Sequence, residues 1–328
     1  MRALRFATVG EPLEVLGIEV VPTPEPGPGQ VRLRMTHRPI NPSDIYCIKG
    51  SYPIRPELPG SPGFEGVGVI DALGPGVNGL TFGQRAIPAT GMPGTWAEHL
   101  IAPAEGVVPV PEALNDQVAA QAVVNPLTAW AILADELTLT EGDWILQTAA
   151  GSTLGRLVIQ LAKRRAVRTV NVVRRRAQVQ ELLDLGADAV ICSEDESLVD
   201  RVRDITGGAG VRAAIDAVGG PQGAQVAKCL ANGGTLLVMG LLSGAPLGPF
   251  DPADAIFRGT SVRGFWLITW LSARSQEAIG RAFGEVISLL ASRVVTPGVE
   301  AEYDLAEFRE AIAHAHRSGR RGKILLRG

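Results

Sequence analysis

The clearest chemical signal in the sequence is a turn of small residues between a predicted strand and a predicted helix. An apolar run that begins at Ile145 ends in the small residues 149–152, and a helical pattern follows as far as Arg165. In dinucleotide-binding folds, such a turn lets the backbone approach the pyrophosphate, whose charge lies at the N-terminus of the helix. The cofactor contacts predicted in this turn are Ala150, Gly151, Ser152, Thr153 and Leu154.

Three arginines, Arg174, Arg175 and Arg176, follow the next apolar run, 168–173. At this position an acidic residue binds the ribose of NAD, whereas an arginine binds the 2′-phosphate of NADP. The basic residues therefore predict NADPH. We expect Arg174 and Arg176 to make the contact, because Arg174 ends the strand and Arg176 can turn back towards it. Such a contact contributes about 1.5–3 kcal/mol, or roughly ten- to a hundredfold preference over NADH.

The turn departs from the G-x-G-x-x-G fingerprint, since Ala150 and Ser152 occupy the first two glycine positions and only Gly155 is kept. A strand–turn–helix unit that binds no nucleotide therefore remains the alternative, with the arginines as a solvated helix start. The occurrence of both features at the expected spacing favours NADPH binding.

Length and composition set the size and class of the protein. The chain has 328 residues, of which 46% are hydrophobic and 20% charged, and its net charge is −3. A chain of this length exceeds the size of one hydrophobic core, so we expect two domains. The charge favours neither nucleic acid nor an anionic membrane as a partner. No run reaches the roughly 18 apolar residues of a membrane span.

The cysteines indicate the compartment. Cys47, Cys192 and Cys229 are widely spaced and form no C-x-x-C pair. Their odd number argues against a disulfide framework and for a reducing compartment. Residues 1–6 alternate like a first strand and lack the apolar segment of a signal peptide. We therefore expect a cytoplasmic protein.

Turn and helix signals divide the chain into a β-rich part and an alternating part. The first third is rich in proline and glycine, and one short helix is predicted from Asn41 to Lys49. The strands predicted around that helix are 13–21, 31–37, 63–71, 84–87 and 94–102. A tail with a strand at 299–303, a helix at 305–315 and a strand at 323–326 is expected to rejoin this part.

From residue 115 the pattern alternates between strands and helices. A helical segment at 118–137 precedes the strand–helix pairs 145–165, 169–185, 190–205 and 213–230, a strand at 235–239, a strand at 262–268 and a helix at 276–292. This alternation predicts an α/β fold with a doubly wound parallel sheet of the Rossmann type. The expected domains are a β-rich one of 1–114 with 268–328 and a nucleotide-binding one of 115–267.

Other catalytic patterns are absent from the sequence. Ser152 does not stand in a G-x-S-x-G elbow, so the sequence does not predict a hydrolase of that type. Of four histidines, only His314 and His316 lie close together, and two residues apart on a helix they point to different faces. Because no zinc-binding spacing is present, we expect no metal.

Several short motifs stand out along the chain. They are Asn41-Pro42-Ser43-Asp44-Ile45, Gly50-Ser51-Tyr52-Pro53, Gly63-Phe64-Glu65, Asn125-Pro126-Leu127-Thr128-Ala129, Asn171-Val172-Val173-Arg174-Arg175-Arg176 and Arg263-Gly264-Phe265-Trp266-Leu267. With these motifs the sequence resembles the medium-chain dehydrogenase/reductase superfamily over essentially its whole length. Its zinc-free members are favoured, because Asn41 and Phe64 stand in the segments where zinc alcohol dehydrogenases place a Cys and a His ligand. Within that group the sequence is similar above all to the 2-enoyl thioester reductases of fatty-acid synthesis, and next to the quinone reductases.

The resemblance implies a GroES-like catalytic fold for the β-rich domain and a reaction in which NADPH delivers hydride to the β-carbon of an α,β-unsaturated thioester. It implies catalytic roles for Tyr52 and Asn41. The enolate that forms needs a donor at its oxygen and a proton at its α-carbon, and a neutral phenol with a pKa near 10 suits this chemistry. Packing over a proline-rich turn is the alternative for Tyr52, and Tyr46 is the reserve candidate.

The resemblance also implies further cofactor contacts. They are Asn125 and Thr128 beneath the nicotinamide, Met239, Gly240 and Leu242 after the fifth strand, and Phe265 and Trp266 beside the cofactor and the acyl end. Phe265 and Trp266 could equally belong to an edge strand that pairs two subunits.

Three functions remain open at this point: an NADPH-dependent 2-enoyl thioester reductase, an NADPH:quinone reductase or broad reductase of activated alkenes, and a non-catalytic NADPH-binding protein. A thioester enzyme needs an apolar channel for the acyl chain and a basic surface for CoA or an acyl carrier. The expected partners are a small-molecule or thioester substrate and a second copy of the chain, in a homodimer through the Rossmann domain. Neither nucleic acid nor a membrane is expected.

Overall fold

The computed structural model describes residues 1–89, 91 and 93–328. They form two compact units, a first unit of Met1–Pro126 with Ile287–Gly328 and a second unit of Leu127–Val286. These bounds lie later in the chain than the predicted ones. Asp116 accepts hydrogen bonds from Thr36 and Arg85, which holds its segment to the first unit. Trp270 donates to Asp135, which holds its segment to the second.

The strands in chain order are β1 (Arg2–Arg5), β2 (Gly17–Val20), β3 (Gln30–Pro39), β4 (Val67–Leu73), β5 (Arg85–Pro88), β6 (His99–Pro103), β7 (Val107–Pro109), β8 (Trp144–Gln147), β9 (Arg168–Val173), β10 (Ala189–Cys192), β11 (Val211–Asp216), β12 (Leu230–Val238), β13 (Ser261–Gly264), β14 (Val299–Asp304) and β15 (Lys323–Arg327). The α-helices are α1 (Pro12–Val15), α2 (Pro42–Ile48), α3 (Asp116–Ala119), α4 (Val124–Ala131), α5 (Thr153–Arg164), α6 (Val179–Leu185), α7 (Leu198–Ile205), α8 (Gly220–Lys228), α9 (Pro252–Arg258), α10 (Leu267–Ser272), α11 (Gln276–Ala291) and α12 (Phe308–His316). Short 3-10 turns cover Ala104–Gly106, Arg176–Gln178 and Leu305–Glu307, and a π-helical turn, Ile132–Glu136, continues α4.

The first unit is built on a seven-stranded sheet. Its strands lie in the order β14-β15-β3-β4-β5-β7, and β6 also pairs with β3. Val31, Leu33 and Met35 on β3 are fully buried, while Arg32 and Arg34 between them are not. This alternation is the period of two that a strand with one buried face requires. Because β15 pairs antiparallel with β3, the C-terminal tail rejoins this unit, as predicted.

The second unit is built on six parallel strands in the order β10-β9-β8-β11-β12-β13. The chain moves outward from β8 to β10 and then starts again at β11, which lies on the other side of β8. This reversal is the switch point of a doubly wound sheet, and ligands bind such sheets at the carboxyl ends of the strands. The predicted Rossmann fold is therefore confirmed.

Several predicted elements were wrong in part; the predicted strands 63–71 and 94–102, for example, begin only at Val67 and His99. Residues 13–15, the predicted start of the strand 13–21, lie in α1 (Pro12–Val15), because the fixed φ of Pro12 suits the first turn of a helix. The predicted helix at 118–137 is interrupted between Ala119 and Val124. Pro126, in the first turn of α4, lacks the N–H that would donate to the carbonyl of Ala122 in a continuous helix. The predicted strand at 262–268 ends at Gly264, and Leu267 already begins α10.

The three cysteines are free and buried. Among the described residues, no helix is long and apolar enough to cross a membrane.

Candidate active site

The turn between β8 and α5 has the geometry of an anion-binding turn. Ala149 has a φ of 50°, a left-handed conformation that costs energy for a residue with a side chain. Ser152 caps α5, and its Oγ accepts a hydrogen bond from the N–H of Gly155 at 3.1 Å. The first N–H groups of a helix have no partner within it, and the positive end of the helix dipole favours a negative charge there. The sequence-predicted residues 150–154 all lie in this turn or in the first turn of α5.

Gly155 is required where α5 leaves the turn. A Cβ at this position would lie 2.5 Å from the carbonyl oxygen of Ala150. Only glycine therefore allows the helix to pack directly against the turn, which is the role of the third glycine in the dinucleotide-binding fingerprint. This explains why the last glycine of the fingerprint is kept while the first two are replaced.

The predicted phosphate-binding arginines lie at the carboxyl end of β9, with exposed side chains. Arg176 donates from Nε to the Asp195 carboxylate at 2.8 Å, and this hydrogen bond lowers the pKa of Asp195. The Arg174 guanidinium lies 4.0 Å from the Glu194 carboxylate, beyond hydrogen-bond distance. Of the two arginines, Arg174 therefore has the weaker interaction with an acidic side chain.

Asp216 joins the ends of three neighbouring strands at the carboxyl edge of the same sheet. Its buried carboxylate accepts from the hydroxyl of Thr148 at 2.7 Å and from the N–H of Gly219 at 3.0 Å. Its backbone carbonyl accepts from the N–H of Met239 at 2.9 Å. Through these contacts Asp216 connects the ends of the three strands.

The other predicted residues of the second unit fall into two groups. Gly240 and Leu242 follow Met239 after β12, where Gly240 lies close against Ala217 and Leu242 is exposed. Phe265 is buried and extends the edge of the sheet, since its N–H donates to the carbonyl of Val238 at 2.8 Å. The remaining two predicted cofactor contacts lie in a helix or directly before one. Trp266 is the half-buried residue that precedes α10, and Thr128 is buried in α4.

In the first unit, Tyr52 lies just after α2, the helix predicted from the Asn-Pro-Ser-Asp motif. Its backbone N–H donates to the carbonyl of Tyr46 at 3.1 Å, so the chain folds back on the helix. The half-buried Tyr52 ring packs against Phe64, with ring centroids 5.3 Å apart and planes inclined by 57°. Tyr52 is thereby held in a defined position without being enclosed.

Behind this tyrosine lies a group that we call the buried polar cluster: Asn41, Asp44, Glu65 and Lys323, each at most 5% exposed. Asn41 donates from Nδ2 to Glu65 Oε1 at 2.8 Å, and its Oδ1 accepts from the Lys323 ammonium. The N–H of Phe64 donates to Asp44 Oδ1 at 3.0 Å, so the cluster also holds the residue on which Tyr52 packs.

Burial changes the acidity of the cluster. It raises the pKa of Asp44 to about 7, against the opposing effect of the N–H groups that this carboxylate accepts from. It also raises the pKa of Glu65 and lowers the pKa of Lys323 to about 8. Each shift favours the uncharged form, as expected for ionisable groups removed from water.

Asn41 was predicted to be catalytic, but its side chain is 2% exposed. Its oxygen also accepts from Nδ2 of Asn125 at 3.2 Å, in addition to the bond from Lys323. Both ends of its amide therefore have hydrogen-bond partners within the protein. The sequence did not predict that Glu65 and Lys323 both form hydrogen bonds with Asn41. The available signal was a lysine at the head of the apolar strand Lys323–Leu326.

The side chains of the described residues were compared with the ligand sets that hold metal ions in proteins. No group of three or more His, Cys, Asp or Glu side chains within residues 1–89, 91 and 93–328 could hold a metal ion. Asn41 and Phe64 supply neither a thiolate nor an imidazole, the ligands that zinc prefers.

Both units match family models of known oxidoreductases. Residues 27–112 match the alcohol dehydrogenase GroES-like domain, and residues 153–283 match the zinc-binding dehydrogenase domain. The chain is 34% identical to a mitochondrial enoyl-[acyl-carrier-protein] reductase of Xenopus tropicalis, over 95% of this chain and 91% of the relative. The chain belongs to the medium-chain dehydrogenase/reductase superfamily.

Solved structures of other superfamily members have the same fold. A candidate NADPH:quinone reductase of Bacillus thuringiensis is 34% identical, with a TM-score of 0.93 over 100% of this chain and 98% of that one. A quinone oxidoreductase of Escherichia coli, solved with NADPH, is 25% identical, with a TM-score of 0.92 over 100% of both chains. Membership of the superfamily makes this chain an oxidoreductase with a GroES-like unit and a Rossmann unit.

Proposed function

We propose that this oxidoreductase reduces the carbon–carbon double bond of 2-enoyl thioesters with NADPH as its cofactor. The observation that carries the proposal is the placement of Tyr52, held on Phe64 beside α2, in a chain similar over 95% of its length to an enoyl-[acyl-carrier-protein] reductase. When bound, NADPH supplies the hydride, which goes to the β-carbon of the substrate.

The second unit binds the nucleotide. The first turn of α5 offers N–H groups to the pyrophosphate, and Gly155 lets α5 pack directly against the turn that holds them. Arg174 binds the 2′-phosphate, because its guanidinium is not hydrogen-bonded to Glu194. Arg176 first has to release Asp195 and is the second candidate.

In the first unit, the Tyr52 hydroxyl donates a hydrogen bond to the thioester oxygen as negative charge develops there. A phenol remains protonated at neutral pH and can therefore serve as a donor throughout the reaction. The loss of one such donor typically lowers turnover about 10²–10³-fold. Asn41 holds the surrounding residues in place and does not contact the substrate.

The second candidate function is an NADPH:quinone reductase. It is favoured by the fold similarity to the quinone oxidoreductase of Escherichia coli over the full length of both chains. The two functions share the cofactor and differ in the acceptor, so a direct assay with both acceptors separates them.

The test is NADPH oxidation by the purified protein with crotonyl-CoA and, separately, with a simple benzoquinone. Each acceptor is also assayed with Tyr52→Phe, with Tyr46→Phe for the reserve candidate, and with Tyr303→Phe as the matched control. We expect fast turnover of crotonyl-CoA that falls about 10²–10³-fold in Tyr52→Phe alone. Turnover of the quinone only, unaffected by Tyr52→Phe, would refute the proposal and support the quinone reductase.

We further propose a homodimer formed through the second unit. Strand β13 is the edge of its sheet and is exposed, and the neighbouring helix α9 exposes Ile256 at 71% and Phe257 at 82%. An open edge strand beside apolar side chains favours pairing with a second copy. Sedimentation equilibrium should give twice the chain mass, and a monomer would contradict the proposal.

A cytoplasmic location is also proposed, supported by the three free thiols.

A further inference from the structure

Three acidic residues follow strand β10, next to the segment that carries the predicted phosphate-binding arginines. They are Glu194, Asp195 and Glu196. Strand β10 ends at Cys192, which pairs with Val173, the last residue of β9. The N–H groups of Asp195 and Glu196 both donate to the Cys192 carbonyl at 3.0 Å, so the loop turns back at the end of its strand. The acidic residues thus lie at the carboxyl edge of the sheet, where a dinucleotide binds.

Two of these acids have different hydrogen-bond partners. Glu196 accepts from the N–H of Cys192 at 2.9 Å and from Nε of Arg201 at 2.8 Å, so it is held within its own loop and the helix that follows. Asp195 instead accepts from Nε of Arg176 at 2.8 Å, across to the segment after β9. Asp195 therefore forms a hydrogen bond with a candidate ligand of the 2′-phosphate.

A carboxylate and a phosphate compete for the same guanidinium group. Both are anions that accept hydrogen bonds from its N–H groups, and Nε of Arg176 already donates to Asp195. The Asp195 carboxylate also repels a phosphate that approaches the arginine, because the two have charges of the same sign. Arg174 is different, because its guanidinium lies 4.0 Å from Glu194, beyond hydrogen-bond distance. A phosphate at Arg174 has no hydrogen bond to Glu194 to displace.

We propose that Asp195 is a specificity-determining residue that lowers the affinity of the enzyme for NADPH. It keeps Arg176 away from the 2′-phosphate, so this group is bound by Arg174 with little help from Arg176. The inference rests on the proposed function, in which the 2′-phosphate of NADPH lies at these arginines. Without the charge of Asp195, Arg176 becomes a second ligand of the phosphate, and the preference for NADPH over NADH rises.

The test measures the binding of two small probes by titration calorimetry at low ionic strength, where exposed charges are least screened. Adenosine 2′,5′-bisphosphate carries the 2′-phosphate and 5′-AMP lacks it, so the ratio of their dissociation constants reports this phosphate alone. Neither measurement depends on the nicotinamide or on an acceptor substrate. We expect wild-type protein to prefer the bisphosphate roughly ten- to a hundredfold, as for one arginine–phosphate contact.

In Asp195→Asn, we expect the bisphosphate to bind about three- to tenfold more tightly, as for one charge–charge interaction close to water, and 5′-AMP to bind as before. The matched control is Asp200→Asn, which removes the same charge from an exposed aspartate that pairs with Arg203. It should leave both dissociation constants unchanged. A purely structural role of Asp195 would weaken the binding of both probes or of neither, but it would not strengthen the binding of one.

Arg176→Leu shows whether the gain comes from this arginine. Alone, it should weaken bisphosphate binding by no more than about twofold, whereas in Asp195→Asn/Arg176→Leu the gain of about three- to tenfold should be lost. That pattern supports the inference. No gain in Asp195→Asn, or an equal loss from Arg176→Leu with and without Asp195→Asn, overturns the inference and leaves the proposed function intact. Wild-type protein that does not prefer the bisphosphate would refute the proposed phosphate site, and the inference with it.

Discussion

The two units of the molecule hold their charged residues in opposite ways. In the first unit, Asp44, Glu65 and Lys323 are at most 5% exposed and are linked by Asn41 and by backbone N–H groups. In the second, the side chains of Arg174 and Arg176 are 69% and 67% exposed beside acidic residues on the neighbouring loop.

This difference separates two uses of charge in one enzyme. Buried charges interact strongly with fixed partners, and the loss of one partner leaves the others without compensation. Exposed charges are screened by water and salt, so their ion pairs contribute little to stability. The buried cluster is therefore suited to fixing the orientation of side chains. The exposed arginines are suited to a ligand that brings its own negative charge.

The largest effect predicted from this comparison is the loss of stability when the buried cation is removed. Lys323→Met should lower the free energy of unfolding by about 3–5 kcal/mol, because it removes the nearby cation whose charge favours the ionised carboxylates of Asp44 and Glu65 in the interior. Urea denaturation measures this change. Lys49→Met, on the surface, should change the value by no more than about 0.5 kcal/mol. Similar small losses in both variants would show that the cluster is not strongly coupled.

A second effect is the pH dependence that burial gives to Asp44. Its pKa of about 7 in the folded protein lies above the value near 3.8 of an exposed aspartate, so the folded state binds a proton that the unfolded chain releases. The contribution of Asp44 to stability is therefore complete below pH about 4 and is lost as the pH rises through about 7. Lys323, whose pKa is lowered to about 8, contributes above its ordinary value of 10.5 and loses that contribution as the pH falls through 8.

Urea unfolding of wild-type protein and of Asp44→Asn, at pH 5 and at pH 7, isolates the aspartate. We expect the free energy of unfolding of wild-type protein, relative to that of Asp44→Asn, to be larger at pH 5 than at pH 7. The exposed Asp200→Asn serves as the control and should show no such dependence. An equal difference at both pH values would mean that Asp44 is ionised throughout this range.

The third and smallest effect on stability is expected at the exposed arginines. Arg174→Leu should leave the urea midpoint unchanged but lower the preference for NADPH over NADH roughly ten- to a hundredfold. Arg176→Leu should have the weaker effect on cofactor preference, because Arg176 is bound to Asp195. Arg203→Leu is the control, since Arg203 is exposed and forms an ion pair with Asp200 within helix α7. Loss of NADPH preference in Arg176→Leu alone would assign the 2′-phosphate to Arg176.

The same contrast explains what the sequence could predict. The strands and helices of the second unit alternate along the chain, so local periodicity was sufficient to predict the parallel sheet and the position of the turn at 150–154. Local signals gave the wrong element after Pro12. This proline begins a helix, although the residues that follow it have the pattern of a strand.

The buried polar cluster could not be predicted in this way. Lys323 and Asn41 are 282 positions apart, and each has an ordinary local setting in the sequence. Their meeting depends on the pairing of β15 with β3, which only the folded chain reveals. For the same reason the motif around Asn41 did not reveal that its side chain is buried against Glu65, Asn125 and Lys323.

The most direct test of the central claim, hydride transfer to the β-carbon of a 2-enoyl thioester, follows the hydrogen itself. The enzyme is supplied with crotonyl-CoA and NADPH that carries deuterium at both C4 positions, and the butyryl-CoA product is analysed by mass spectrometry and NMR. The account predicts one deuterium per molecule at C3 of the acyl group and an α-hydrogen that comes from solvent. NADPH oxidation that leaves crotonyl-CoA unreduced, or product without deuterium at C3, would contradict it.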